Sequence, residues 1–397
     1  MSEPDEGLKI LASEASAQRI SRRAFMGGSV VAAFSGGILL SACSSGGSGS
    51  SATPATGGSS SAASPVLEDK LNFLHWAAYD DPKLFKKFTQ EFGPVTNIDT
   101  YASNEEAITK LVAAAGTSGY DIVVPTGPYI PQMVANNLLQ ELDLSKIPNF
   151  KNLETVFTNQ PWDPGNKHSV CKDWGTVGWI VDKSQISRPI NTWSDFIDVA
   201  MNEASGNVSL LDAQNEVMGV YFWSQGIDWT TTSSSDLDAY EAWTLQMAPH
   251  VKAFDSYPGY QFSDGNYALS HVWNGDARQG FNSFKDPSRY AWGLGAPATE
   301  LWMDNWTIVQ GAPHPEAAYA FINFILDPAN SLQDMAFHGY NTGITGIESA
   351  AKTAGLPFLD MIFFSDAQLA TMHAQEINSA FDREVAIFLK MKAAAGG

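Results

Sequence analysis

From Leu67 onward, short apolar runs of strand length alternate with amphipathic runs of helix length, and that alternation confines the chain to an α/β body with largely parallel pairing. Leu71 to His75 reads as the first strand. Asp81-Pro82 then opens a helix whose Leu84, Phe85, Phe88 and Phe92 share one face, with Gly93 as its stop. Ser103-Asn104-Glu105-Glu106 reads as a capping box for a helix running to Gly116, and Asp121 to Pro125 as a second strand. Thr192 to Asp195 opens another helix in the same manner. Val208 to Leu211 is a strand, with Asp212 placed to cap the helix after it, and Ala268 to Trp273 is a fourth strand. Pro315 to Leu326 is an amphipathic helix, and Asp366 to about Lys392 is expected to be mostly helical.

At 397 residues and 44% apolar, the chain exceeds one ordinary core and has material for two. A formal charge of -20 excludes nucleic-acid or phosphate binding by bulk electrostatics and weakly favours cationic partners. Cys43 and Cys171 allow at most one disulfide, and no CxxC or other metal spacing occurs.

Residues 1–43 are read as an export signal and kept out of the fold. Ser21-Arg22-Arg23-Ala24-Phe25-Met26 is a twin-arginine pattern, and the apolar run Gly27 to Leu40 is too short and glycine-rich to span a bilayer comfortably. The run ends in Leu40-Ser41-Ala42-Cys43, which resembles a bacterial lipobox. That resemblance implies cleavage before Cys43 and a lipid on its thiol, anchoring the body to the outer face of the cell membrane; Cys171 is then a lone, buried thiol. Residues 44–66 are almost wholly Ser, Gly, Ala and Thr, a disordered tether with a reach of roughly 25 Å.

The stretch from Tyr267 to Thr307 is the expected working end. Trp273 stands three residues before Asp276, and Trp302 two before Asp304; if the second segment is extended, Trp302 and Asp304 project to one face. An indole beside a carboxylate suits a cation with an alkyl body, attracted by the ring face and hydrogen-bonded by the acid. Other strand ends carry comparable groups: Trp76 and Tyr79 after the first strand, Thr126 and Tyr129 after the second, Glu216 past Val208 to Leu211. In open α/β sheets ligands bind where such ends converge. Each residue also has an ordinary reading: Asp276 and Glu216 as residues favouring helix N-termini, Trp76 and Trp302 as core, Tyr129 as a buried ring with its hydroxyl satisfied.

Enzyme readings find little support, for there is no G-x-S-x-G elbow, P-loop, dinucleotide fingerprint or H-E-x-x-H. His75 and His271 lie nearest the presumed cleft; His75 should face away from Trp76, and His271 shares the face of Trp273. Two carboxylates among aromatics leave a secreted glycoside hydrolase as the enzyme alternative.

The segments HWAAYDD, YASNEEAITKL, YDIVVPTGPYIPQM, LLQELDLSKIPN, DPGN, WGTVGW, LLDAQNEV, VWNGDA, ELWMDN and AYAFINFILDP stand in an order and spacing that resembles the polyamine-binding (spermidine/putrescine) substrate-binding proteins of ABC transporters. The resemblance covers residues 67–395. It implies a two-lobe periplasmic-binding-protein fold of type II, with a mixed sheet in each lobe, and a ligand held in the cleft between lobes that close on it. The partners implied are an inner-membrane permease and its cytoplasmic ATPase, with no cofactor or metal and no second copy of the chain. Lobe 1 is expected over 67–178 plus 303–348, and lobe 2 over 179–302 plus 349–397.

By position, Trp76 and Tyr79 match the family's first aromatic wall and Thr126 a serine that contacts the ligand. Glu216 matches an acid facing a ligand amine, Trp273 a stacking indole, and Asp276 an acid of putrescine-binding members. Trp302 and Asp304 match the ring and carboxylate that grip the buried amine, and Tyr340 a late ring beside it; Gln375 is aligned too loosely to assign. Ala78 and Ala213 stand where many members have acids or polar groups, Pro128 where a ring is usual, and Cys171 where a proline is usual. Those departures keep open a binding protein for another cationic or polar solute, such as an opine-like compound or an oligosaccharide.

Overall fold

A computed structural model describes residues 67–114, 116–262 and 265–396. The twin-arginine pattern, Cys43 and the tether lie outside the described residues. Four strands come first: β1 (Lys70–Trp76), β2 (Val95–Tyr101), β3 (Ile122–Val123) and β4 (Val170–Gly175). β1 runs parallel to β2 and to β3, pairing Phe73 with Ile98 on one side and with Ile122 on the other. The helices Pro82–Phe92 and Asn104–Ala113 supply the crossovers that parallel pairing requires.

Thr176 alone separates β4 from β5 (Val177–Asp182), which lies in a different sheet. That second sheet also holds β6 (Val208–Leu211), β7 (Val251–Asp255), β8 (Leu269–Trp273) and β9 (Tyr290–Leu294), in the order β7-β6-β8-β5-β9. The short β10 (Thr299–Glu300) leads across Leu301 into β11 (Trp302–Ile308), which re-enters the first sheet antiparallel between β3 and β4. The first sheet therefore reads β2-β1-β3-β11-β4, and both sheets are mixed. β12 (Met372–His373) pairs with β10, and the helix Phe381–Ala394 closes the chain against the second core. The three expected lobe divisions, 178/179, 302/303 and 348/349, fall within β5, β11 and the helix Ile347–Thr353.

Two main cores follow from the two sheets. In the first, Phe85 stacks on Phe321 at 5.5 Å and Phe73 meets the same ring edge-on at 4.8 Å. In the second, Trp193 packs edge-on against Trp179 at 5.2 Å and stacks on Trp223 at 5.9 Å. Geometries of this kind add to the area term that drives burial. Cys171 is buried in the first core, where burial pushes its thiol well up and leaves it inert.

The expected caps mostly form. Asp81 accepts from Lys83 N at 2.9 Å, Gly93 ends that helix with φ at 103°, and Thr192 with Asp195 makes a complete capping box. At the second helix Glu106 reaches Ala102 N instead of the Ser103 N, and the helix ends at Ala113. Asp212 caps nothing; it takes Lys392 as a partner at 2.6 Å. The strand expected over Asp121 to Pro125 shrinks to Ile122–Val123 because the Val124 carbonyl accepts from the Trp76 indole at 3.0 Å and from the Tyr101 hydroxyl, which removes it from the ladder. The long C-terminal helix is corrected as well. Only Asp366–Leu369 and Phe381–Ala394 are helical; β12 intervenes, and Asn378 turns the chain by accepting from Ala380 N at 2.8 Å while donating to Thr230 O at 2.8 Å.

The DPGN turn before β4 is organised by one buried carboxylate. Asp163 accepts from Ser169 N at 2.8 Å, Ser169 Oγ at 2.6 Å, His168 N at 3.0 Å and Lys167 N at 3.1 Å. Asp163→Ala strands these donors, so urea unfolding should show a loss of about 1–3 kcal/mol; an unchanged midpoint would mean that the turn is held by something else.

Candidate functional site

Asp304 lies on β11, the fourth strand of the first sheet, opposite Thr126 on one side and Asp173 of β4 on the other, and the register of β11 against β4 shifts between Asp304 and Asn305. Such a bulge re-aims a side chain locally. Its cross-strand neighbour is Asp173, and the Tyr79 hydroxyl stands between them, 2.6 Å from Asp173 Oδ1 and 2.8 Å from Asp304 Oδ2. A phenol has one proton and can donate to only one of two acids, so the second short contact is made when the other carboxyl carries a proton. Asp304 is the group that holds it. Burial first, and then the charge of Asp173, push its carboxyl up to about 7, against the opposing hydrogen bonds of Thr126 and Tyr79 and the charge of Lys172.

Lys172 is paired with Asp173 and not with Asp304. Its ammonium lies 2.8 Å from Asp173 Oδ2, 3.3 Å from Asp80 Oδ1 and 3.9 Å from Asp334 Oδ2, fully enclosed, and 3.8 Å from the centroid of the Tyr79 ring. Burial alone works against the lysine's charge; the acids Asp173, Asp80 and Asp334 overcome it and hold the group cationic. His75 hydrogen-bonds Asp80. Asp304 is left without a base, and its Oδ1 has no hydrogen-bond partner.

Rings enclose this carboxyl. Tyr340 meets Trp302 edge-on at 4.7 Å, lies 6.1 Å from Tyr79, and stacks on His338 at 5.7 Å. From the second sheet, β8 delivers Trp273 and the start of the helix Asn274–Ser283, whose side chain Asn274 accepts from Thr176 N at 2.9 Å. Gly275 is required there, since a Cβ would come within 2.3 Å of the Tyr340 ring; at Gly175 a Cβ would come within 2.4 Å of Trp302. Asp276 sits in the first turn of that helix, so its dipole reading and its site reading coincide. Its Oδ2 accepts from Gly259 N at 2.6 Å while Oδ1 is unpartnered. Burial, opposed by the Gly259 N–H and helped by Asp255, pushes it up to about 7.

Glu216 lies in the first turn of the helix Gln214–Gln225, whose N-cap is Ala213 without a side-chain bond. It is buried, its Oε2 has no hydrogen-bond partner, and desolvation raises its carboxyl. Trp76 packs on Tyr101 at 4.5 Å, and Thr126 exchanges two 3.0 Å bonds with Asn104. Tyr129 takes its ordinary reading: its hydroxyl donates to Glu105 at 2.6 Å and its ring joins a third, smaller core. His271 lies in the second core, edge-on to Trp193 at 5.4 Å, and burial lowers it to about 3, so it is a neutral core residue. Strand-end reasoning does not find Lys172, Asp173 or Glu300; Glu300 has the same alternation parity as Trp302 and Asp304, a signal legible in the sequence. Among the described residues no cluster suited to a metal ion occurs, and no helix is long and apolar enough to cross a membrane.

The chain resembles known proteins along most of its length. It is 32% identical over 279 residues, 69% of this chain and 77% of the relative, to the spermidine/putrescine-binding periplasmic protein of Salmonella typhimurium. It is 27% identical over 334 residues, 78% and 87% of the two chains, to a putrescine/agmatine-binding protein of Pseudomonas aeruginosa. The solved spermidine/putrescine ABC transporter substrate-binding protein PotD of Streptococcus pneumoniae superposes with a TM-score of 0.69 at 28% identity, over 83% of this chain and all of that one. The two mixed sheets flanked by helices are thus the type II arrangement of periplasmic binding proteins. With residues 83–360 matching the family as a whole, the chain belongs to the bacterial extracellular solute-binding proteins.

Proposed function

We propose that this protein captures a linear polyamine of the putrescine/spermidine class in the cleft between its sheets and delivers it to an ABC permease by lobe closure. One observation carries the reading: Asp304, Asp276 and Glu216 are buried acids, each with an oxygen lacking a partner, set among the rings of Trp302, Tyr340, Trp273 and Tyr79. An organic ammonium supplies what each acid lacks, and the rings accept its alkyl body and its charge together. A neutral sugar would leave the acids protonated and their free oxygens half satisfied. Trp302 and Asp304 grip one ammonium, Tyr79 and Tyr340 wall it, Trp273 and Trp76 flank the chain, and Thr126 fixes the Asp304 carboxyl. The similarity to curated polyamine-binding relatives supports the same reading.

Closure follows from the connectivity. The lobes are the first-sheet body, residues 67–175 with 302–371, and the second-sheet body, residues 177–300 with 381–396, and the chain passes between them at Thr176, at Leu301 and after β12. Ligand contacts made from both sides exist only when the lobes are together, so binding shifts the population toward that form. The twin-arginine pattern and the lipobox support a body held outside the cytoplasm, tethered through Cys43 to the outer face of the membrane.

Asp304→Asn keeps shape but removes the anion, so calorimetric affinity for putrescine should fall about 30-fold or more. The melting temperature of the free protein should hold or rise, because a disfavoured buried charge is removed; unchanged affinity would disprove the site.

The raised carboxyls set a pH dependence with a definite sign. A carboxyl whose folded value is raised stabilises the free protein fully below its ordinary value near 3.8, and that contribution is lost as pH rises toward about 7 for Asp276 and Asp304. An ammonium binds the ionised acids and displaces their protons. Affinity should therefore climb from pH 5 to 7, by at most about tenfold per unit for each proton released, and level above. Calorimetry in buffers of different ionisation heat should detect proton release at pH 6 and little at pH 8; equal release at both would count against the assignment.

Cys43→Ser should release the protein from the membrane fraction and abolish incorporation of labelled fatty acid. Retention of the label would mean that the lipid sits elsewhere.

A further inference from the structure

Glu300 is a fourth carboxyl in the cleft, singled out by neither the strand-end pattern nor the family resemblance. The parity that sets Trp302 and Asp304 on one face runs back through Leu301 to Glu300. Leu301 N still bonds His373 O at 2.9 Å, so the chain stays extended, and Leu301 and Met303 both pack on the first core. Four residues at a strand's rise put the α-carbons of Glu300 and Asp304 about 13 Å apart, with Trp302 midway. Glu300 is only 2% exposed, yet its Oε2 has no hydrogen-bond partner, and the same holds for Oε2 of buried Glu216. The helix Gln214–Gln225 packs on β10, which brings the two buried carboxyls near one another, and one proton shared between them would relieve their mutual repulsion. Gln375, two residues beyond the His373 that pairs with Glu300, adds a buried amide whose nitrogen is also unpartnered.

No basic side chain is at hand to balance this pair. Lys172 is committed to Asp80, Asp173 and Asp334, and the neighbouring Glu105 already accepts the Tyr129 hydroxyl at 2.6 Å. Counting the pair as one negative charge, the cleft offers three: Asp304, Asp276 and Glu216 with Glu300. A diamine leaves one of them unmatched in a buried site; a triamine matches all three.

Resting on the polyamine reading above, we infer that Glu216 and Glu300 act as one interchangeable seat for a third ligand nitrogen, so that the site selects a triamine over a diamine. Because either carboxylate can carry the charge, losing one leaves the seat in place, and losing both empties it. This accounts for the alanines at 78 and 213: an acid is supplied from β10 in their stead.

The test is a double-mutant cycle read with two ligands, spermidine and the α,ω-diamine of equal length that has a methylene for the internal nitrogen. In the native protein spermidine should bind about tenfold tighter or more. Glu216→Gln and Glu300→Gln should each weaken spermidine binding by about threefold, whereas the double variant should lose about thirtyfold or more, beyond the product of the two, and discriminate the two ligands no longer. Native protein binding both ligands equally overturns the triamine selectivity. Glu216→Gln alone matching the double variant, or the double variant behaving as native, overturns the shared seat; the first of these comparisons stands even if the double variant fails to fold, since a loss far beyond about threefold in Glu216→Gln already contradicts it. Native protein binding neither amine overturns the polyamine reading itself.

Discussion

One buried ammonium serving several acids is the constraint on which the cleft depends. Lys172 contacts Asp173 and Asp80 within 3.3 Å and has Asp334 nearby, so one ammonium faces three acids even before the ligand-facing acids are counted. Removing a buried ion's partner is costly, by several kcal/mol, whereas a complete pair with satisfied hydrogen bonds is close to neutral. The lysine therefore holds the Asp173 side chain in place, Asp173 fixes the Tyr79 hydroxyl, and the hydroxyl presents itself to Asp304. This relay leaves Asp304 as the carboxyl of the first sheet that lacks a cation of its own. A pocket lined with acids but lacking such an internal cation would be less selective, because protons would spread over every carboxyl alike.

The fold places these groups by a small number of backbone choices. Because β11 re-enters the first sheet between β3 and β4, Asp304 is flanked on both sides, and the shift in register beside it turns the carboxyl toward the cleft. The short β3 belongs to the same economy: the Val124 carbonyl that would have extended it instead anchors Trp76 and Tyr101. Gly275 then lets the second body come close enough for its backbone to touch Tyr340, while Gly175 on β4 leaves room for the Trp302 ring within the first sheet. A side chain at Gly275 would hold the two bodies apart at the point where a ligand must be enclosed.

Much of this is legible in the sequence, and the failures have physical causes. The alternation of strands and helices, the caps at Asp81, Ser103 and Thr192, and the shared face of Trp302 and Asp304 are local, so periodicity and side-chain chemistry disclose them. Lys172 is not legible, because nothing local distinguishes a lysine that faces solvent from one in a strand buried on both faces. Tyr129 stands after a strand as a cleft ring would, but the partner that claims its hydroxyl, Glu105, comes from a different element. The region 366–392 misleads for a related reason. Its residues favour helix, and the interruption comes from β10, a strand some seventy residues earlier that pairs with Met372 and His373. Tertiary pairing overrides propensity there.

That same interruption bears on recognition. Had 366–392 formed one helix, β10 would lack its partner, and Glu300 would sit on an unpaired crossing segment free to turn outward. The pairing fixes the segment in an extended form, which carries the alternation of the Trp302 face across Leu301 and points a further acid inward. Positions 78 and 213 lie in loops that lead away from β1 and β6, and in both an alanine now meets the backbone demand: Ala78 sits at φ 53°, and Ala213 caps a helix without a side-chain bond. A long-range electrostatic requirement is indifferent to which strand meets it, provided the charge arrives buried and unpaired at the same place. Acid number in such a cleft is thus a better guide to ligand charge than the identity of any single acidic position.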